Sequence, residues 1–179
     1  MSEVSSDLAL AGVQSSTDID FDERGLQHRH EALAGDMPVV AAAFRAAGYC
    51  LEHITCLDLR QVEEVAGFRV DYQFNRIGSP VDRHVVQVKV GETETATSIA
   101  SVYPGADWYE REVFDMHGVL VDGHPNLKRL LMPEDYRGYP LRKDFLDEDP
   151  ERHQMSGVVV EAEAAQEDVA DGEDGEDEA

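Results

Sequence analysis

The chain has 179 residues, 38 acidic against 15 basic side chains and a formal net charge of −23. That charge repels phosphate backbones and anionic lipid surfaces, so neither nucleic acid nor a bare membrane is an expected partner. No apolar run reaches the ~18 residues of a membrane-spanning helix.

The N-terminal MSEVSSDLALAGVQSSTD has neither the basic flank nor the apolar stretch of a secretory signal. The two cysteines, Cys50 and Cys56, make neither a disulfide framework nor a CxxC motif, which fits a reducing compartment. Charge is uneven: Glu148 to Ala179 carries 13 acidic residues and the single base Arg152, a net of −12, leaving −11 for residues 1–147. A stretch so acidic and so poor in apolar groups cannot offset the entropy of ordering, so 148–179 is expected to be a disordered tail. Residues 1–24 are expected to be a flexible N-terminus, residues 25–121 an α+β body, and residues 122–147 an extended partner-binding segment.

Within the body, Pro38–Ala47 predicts a helix, with Asp36 as its cap, Val39, Val40, Ala43, Phe44 and Ala47 as its apolar face, and Gly48 as its stop. Leu51–Leu59 is a strand candidate. Phe68, Val70, Tyr72 and Phe74 alternate with Arg69, Asp71 and Gln73, the clearest period of two in the chain. After a turn at Gly78-Ser79-Pro80, Val86, Val88 and Val90 repeat the alternation, and the two runs predict an antiparallel hairpin. Ala96–Val102 is expected to be a second helix. Asp107 and Glu110 have capping-box spacing for a third that ends at Gly118, and Val119–Val121 reads as a short strand. No opening strand is identifiable before Pro38. The fold class is therefore α+β: a small, mainly antiparallel sheet with helices on one face, then an extended irregular C-terminal segment. Trp108, Tyr109, Phe114, Cys50 and Cys56 are expected in the core.

The stretch from Tyr103 to Phe145 carries the functional signal. It contains Glu110, Arg111, Glu112, Asp115, Gly118, His124, Pro125, Leu127, Lys128 and Arg129, then Gly138, Pro140, Leu141, Arg142, Lys143, Asp144 and Phe145. In order and spacing these residues closely resemble the signature of the C subunit of the respiratory NADH:quinone oxidoreductase, complex I. The pattern departs at His117, where such proteins usually have an apolar or aromatic residue, and at Leu146, where proline is common. The resemblance implies a cofactor-free, non-catalytic subunit of the peripheral arm of a translocase, on the cytoplasmic face of the bacterial inner membrane. It implies docking against the quinone-pocket subunit and near iron–sulfur subunits, with membrane association through the complex alone. FMN, iron–sulfur clusters, NADH and quinone would then belong to other subunits.

The residues themselves agree with that expectation. Two cysteines are too few for the usual four-thiolate iron–sulfur cluster, and no GxGxxG or P-loop run is present. Glu110 and Glu112 diverge by about 200° on a helix and cannot share a substrate as an acid–base pair. Glu110 is expected at the helix start instead, and Arg111 in an i,i+4 pair with Asp115 or with a partner's acid. A zinc site from Asp115, His117 and His124, as in a standalone hydrolase, conflicts with the two-residue spacing of the first pair. His117 is instead expected to cap the last helical turn and His124 to bond its own turn. Lys128, Arg129, Arg142 and Lys143 lie among apolar anchors, which predicts an interface, with Arg129 and Arg142 offered to a partner's carboxylates. A related membrane-bound hydrogenase or other-donor dehydrogenase would use the same surface.

Overall fold

In the computed structural model, residues 12–19, 25–61, 67–78 and 82–146 are described. The acidic tail expected at 148–179, most of residues 1–24, and Ser79 and Pro80 of the expected turn lie outside the described residues. The elements are β1 (Val13–Asp18), β2 (His28–Ala32), a 3-10 turn (Ala34–Asp36), α1 (Met37–Ala46), β3 (Cys50–Asp58), β4 (Gly67–Arg76), β5 (Asp82–Gly91), β6 (Thr95–Thr97), α2 (Ala106–His117) and β7 (Leu120–Asp122).

The alternating run becomes β4. Phe68, Val70, Tyr72 and Phe74 are buried, while Arg69 and Asp71 form an ion pair at 2.9 Å. Beside it β5 runs antiparallel from Gly67↔Gly91 to Arg76↔Asp82, as the hairpin reading required. The strand order is β1-β2-β5-β4-β3. Of the four pairings only β2 with β5 is parallel, so the sheet is mixed but mainly antiparallel. β6 and β7 make a separate parallel pair.

α1 buries Met37, Val40, Ala41 and Phe44 at 3- and 4-residue spacing, the stripe of an amphipathic helix. The stripe is rotated from the expected one: Val39 is 58% exposed. Phe44 stacks on Phe74 at 4.3 Å between ring centres and meets Tyr49 edge-on at 5.3 Å. α2 buries Ala106, Glu110, Val113 and His117, and its apolar members join the same cluster. Both helices therefore pack on one face of the sheet.

Four local expectations differ. Asp36 precedes α1 but its side chain makes no capping bond; it already belongs to the 3-10 turn. The helix expected over Ala96–Val102 is absent: Thr95–Thr97 pairs with Leu120–Asp122, and Ser98 and Ile99 are drawn onto the Glu110 carboxylate. β1 occupies residues 13–18, expected to be loose, and β2 supplies the opening strand. Trp108 and Cys50 are exposed, whereas Cys56 is buried and its thiol is pushed up to about 12, chiefly by burial.

Phe44 is fully buried between α1 and the sheet. Phe44→Ala is predicted to lower unfolding stability by about 3–5 kcal/mol. Denaturant unfolding checks this, and a loss below about 1 kcal/mol would contradict α1's placement.

Candidate functional site

Asp115 is completely buried on α2, where an unpaired carboxylate would be very costly. Its Oδ1 accepts from Arg129 Nη1 at 2.7 Å. Its Oδ2 accepts three successive backbone N–H groups, from Leu130 (3.0 Å), Leu131 (2.7 Å) and Met132 (2.9 Å). Burial pushes this carboxyl upward, but the N–H donors and Arg129 outweigh it and hold it below the usual carboxylate range.

Arg129 continues the network. Its other amino group donates to the Tyr136 and Gly138 carbonyls at 2.9 and 3.1 Å, and its guanidinium lies over the Tyr136 and Tyr139 rings. Arg111, one turn before Asp115, donates to the Lys128 and Arg129 carbonyls at 3.2 and 3.0 Å and lies over Trp108. It thus holds backbone rather than pairing with Asp115 as expected.

The end of α2 is closed by the same segment. Gly118 takes a left-handed φ of +73°, and a Cβ there would lie 2.5 Å from Arg142 Nη2 and 2.6 Å from the Tyr139 ring. Only glycine suits both the backbone and the close approach. Arg142 Nε donates to the His117 carbonyl at 2.5 Å, and Leu141 N–H to the Met116 carbonyl at 3.1 Å. These two groups satisfy the helix end, so His117 is not its cap. The His117 ring is buried, which lowers its pKa, and its Nδ1 has no partner in the described structure.

Further along, Gly138 (φ +88°) lets the Phe145 ring approach; a Cβ would lie 2.5 Å from it. Lys143 N–H donates to Asp58 Oδ2 at 2.9 Å. Arg60 joins Asp58 (2.7 Å), Asp144 (2.6 Å) and Glu92 (3.0 Å). The hydrogen bond from Arg60 holds Asp58 well below the ordinary range and also lowers Asp144. Asp58 and Arg60 were invisible to motif reading because they lie far outside the signature.

The remaining signature residues tie neighbouring loops to α2. Glu110 accepts from Ser98 Oγ (2.6 Å) and Ile99 N–H (2.7 Å), and burial raises its pKa. It does not cap α2, whose N-cap is Gly105. His124 Nε2 donates to the Asp107 carbonyl at 3.2 Å, with Asp107 Oδ1 3.0 Å away, and its Nδ1 accepts from Asn126 N–H at 3.0 Å. Those two bonds define a neutral ring with the proton on Nε2. Leu127 packs against the core, Glu112 lines a small cavity of about 80 Å³ with Met116 and Leu141, and Pro125 and Lys128 are exposed. Asp115, His117 and His124 each have separate surroundings and do not converge on one ion. Arg129 and Arg142, expected to reach outward, are both engaged within the chain.

Residues 32–151 match the family described as the respiratory-chain NADH dehydrogenase 30 kDa subunit, and the chain belongs to that family. The NADH-quinone oxidoreductase C subunit of Sinorhizobium medicae is 56% identical over 69 residues, which are 37% of this chain and 34% of that protein. The corresponding C subunit of Cereibacter sphaeroides is 46% identical over 95 residues, 53% of this chain and 46% of that protein. The matches therefore span about a third to a half of these relatives' lengths. The NAD(P)H-quinone oxidoreductase J subunit of Parasynechococcus marenigrum is 32% identical over 161 residues, covering 72% of this chain and 78% of its own. A trypsin-resistant fragment of Nqo5 shares the fold at a TM-score of 0.57 and 23% identity, covering 69% of this chain and 96% of the fragment. A chain of the archaeal membrane-bound sulfane sulfur reductase does so at 0.67 and 16% identity, covering 92% and 95%.

Asp58, Asp115 and Asp144 all have folded-state pKa values below the unfolded ones. Their contribution is complete above the unfolded carboxylate range and is lost as pH falls through the folded values. Trp108, the sole tryptophan, sits under Arg111 and reports the docked segment. Its fluorescence is predicted to stay constant from about pH 7 to 5 and to change only below about pH 4. A transition near pH 6 would contradict the assignment.

Proposed function

We propose that this chain is a structural and assembly subunit, without redox chemistry of its own, in the peripheral arm of a proton-translocating NADH:quinone oxidoreductase. It docks through residues 122–147 against the quinone-pocket subunit, beside iron–sulfur subunits, on the cytoplasmic face of the membrane. NADH, FMN, iron–sulfur clusters and quinone belong to the other subunits, which carry electrons from NADH to quinone. Family membership supports the assembly. Among the described residues no helix is long and apolar enough to cross a membrane.

The observation that carries the docking surface is the pairing of a fixed backbone with outward apolar groups. Leu131, Leu141 and Leu146 are 58%, 55% and 81% exposed on a segment held by Asp115, Arg129 and Arg60. An irregular segment fixed in advance loses little further entropy when a partner covers it. The aromatic and apolar composition of the segment suits the centre of an interface.

Because Arg142 is engaged internally, charge reversal there would disturb the segment's shape as well as any contact. The cleaner probe is the double variant Leu131→Glu, Leu141→Glu, tagged in the native host and followed through gentle membrane solubilisation. The wild-type chain is expected to copurify with a large complex having NADH:quinone reductase activity. The variant is expected to fold, with stability within about 0.5 kcal/mol as is usual for exposed sites, yet to be missing from the complex. Normal incorporation would refute this docking surface. Copurifying hydrogenase subunits would place the chain in a related complex instead.

A further inference from the structure

At the end of the sheet remote in sequence from the signature, three histidines and two aspartates form a cluster that the docking function does not use. The parallel register of β2 and β5 sets His28 beside His84, and Asp82 lies two residues before His84, on the same face of β5. The His28 and His84 rings stack at 4.5 Å. His84 Nε2 is 3.1 Å and His28 Nε2 3.9 Å from the same oxygen, Asp82 Oδ1, and one ligand atom from each of the three residues lies within 4.8 Å of the others.

We propose that His28, Asp82 and His84 form a binding site for a divalent cation of the zinc class. Tetrahedral zinc with bonds of about 2.0–2.1 Å holds its ligand atoms about 3.3 Å apart. The separations of 3.1 and 3.9 Å straddle that value. Two imidazoles and one carboxylate form a donor set suited to zinc, and three ligands leave the fourth position to water. His28 and Asp82 keep side-chain exposures of 15% and 18%, which gives an ion a route in.

Every ligand has an outer partner of the kind that orients metal-binding groups. His28 Nδ1 is 2.8 Å from Asp18 Oδ1, a carboxylate behind an imidazole. Asp82 Oδ2 accepts from Tyr49 Oη at 2.5 Å and from Arg76 at 3.1 Å, which leaves Oδ1 for the ion. His84 Nδ1 is 2.8 Å from His30 Nε2, and His30 Nδ1 is 2.8 Å from Ser16 Oγ. In this relay Ser16 donates to His30, His30 to His84 and His84 to Asp82. A cation on His84 Nε2 reverses each step: His84 Nδ1–H donates to His30, and His30 Nδ1–H to Ser16. Both directions are neutral and fully bonded, so the buried histidines can serve the ion without carrying charge. The relay alone does not account for His28, whose Nε2 faces Asp82 from 3.9 Å, too long for a hydrogen bond. The sequence reading expects no metal or cofactor on this chain; the proposal departs from it because strand pairing brings His28 beside His84, more than fifty residues away in sequence.

The test uses the full chain, stripped with a chelator and dialysed against Zn(II) at neutral pH, with Co(II) absorption reporting coordination geometry. One zinc per chain and a tetrahedral Co(II) spectrum are expected. His28→Gln and Asp82→Asn should abolish stoichiometric binding. Asp18→Asn, on the edge strand and outside the ligand set, should weaken it about 10–100-fold while the circular dichroism stays that of the folded chain. No stoichiometric zinc would overturn the proposal. So would binding unchanged in His28→Gln and Asp82→Asn, because the metal would then sit on other groups such as the acidic tail.

Discussion

A single buried carboxylate organises the most informative quarter of this chain. Asp115 is inaccessible to solvent, yet its charge is matched by one guanidinium and three consecutive backbone N–H groups. Those amides belong to a stretch with no helix or strand to satisfy them. Without the carboxylate they would need water, and the chain at 130–132 would have little reason to lie against α2. Breaking a buried ion pair by removing one partner typically costs about 3–5 kcal/mol, because it leaves an uncompensated charge. For a segment with a small apolar core of its own, that is enough to decide whether it docks.

The other signature residues follow from this constraint. Arg129 turns from Asp115 to the carbonyls of Tyr136 and Gly138, so one side chain fixes both ends of the loop. Arg111 and Arg142 hold carbonyls at either side, and Gly118 and Gly138 leave room for Tyr139, Arg142 and Phe145. Two of the four basic residues that look like a partner-binding patch, Arg129 and Arg142, are thus part of the internal frame of that patch. Outward, the segment exposes Leu131, Leu141 and Leu146 among charged side chains such as Lys128, Glu134, Arg137 and Lys143. A frame of charge-assisted bonds carrying exposed leucines is a surface shaped before its partner arrives.

The parts of the fold legible in sequence were those whose apolar pattern matches a simple period. β4 and β5 alternate strictly, α1 repeats at three and four residues, and Gly118 ends α2 with the left-handed conformation that favours glycine. β1 was hidden because it is an exposed edge strand with the polar sequence VQSSTD. β2 was hidden because two of its three same-face residues, His28 and His30, are histidines, which do not read as core, and because its partner β5 is more than fifty residues away. Ala96–Val102 reads as helix because the parallel partner of Thr95–Thr97, Leu120–Asp122, is equally short and distant. The family signature located the important segment, but its residue types suggested outward contacts. Only three-dimensional placement reveals that Arg129 and Arg142 point inward, and that Asp58 and Arg60 complete the dock.

Hydrogen exchange at the amides of Leu130, Leu131 and Met132 tests the central role of Asp115 most directly. In the full wild-type chain these amides should exchange slowly despite lying outside any helix or strand. In Asp115→Ala they should exchange at rates near those of an open chain, while the amides of β4 keep their protection. Fast exchange in the wild type, or unchanged protection in the variant, would contradict the assignment of Asp115 as the group on which the segment depends.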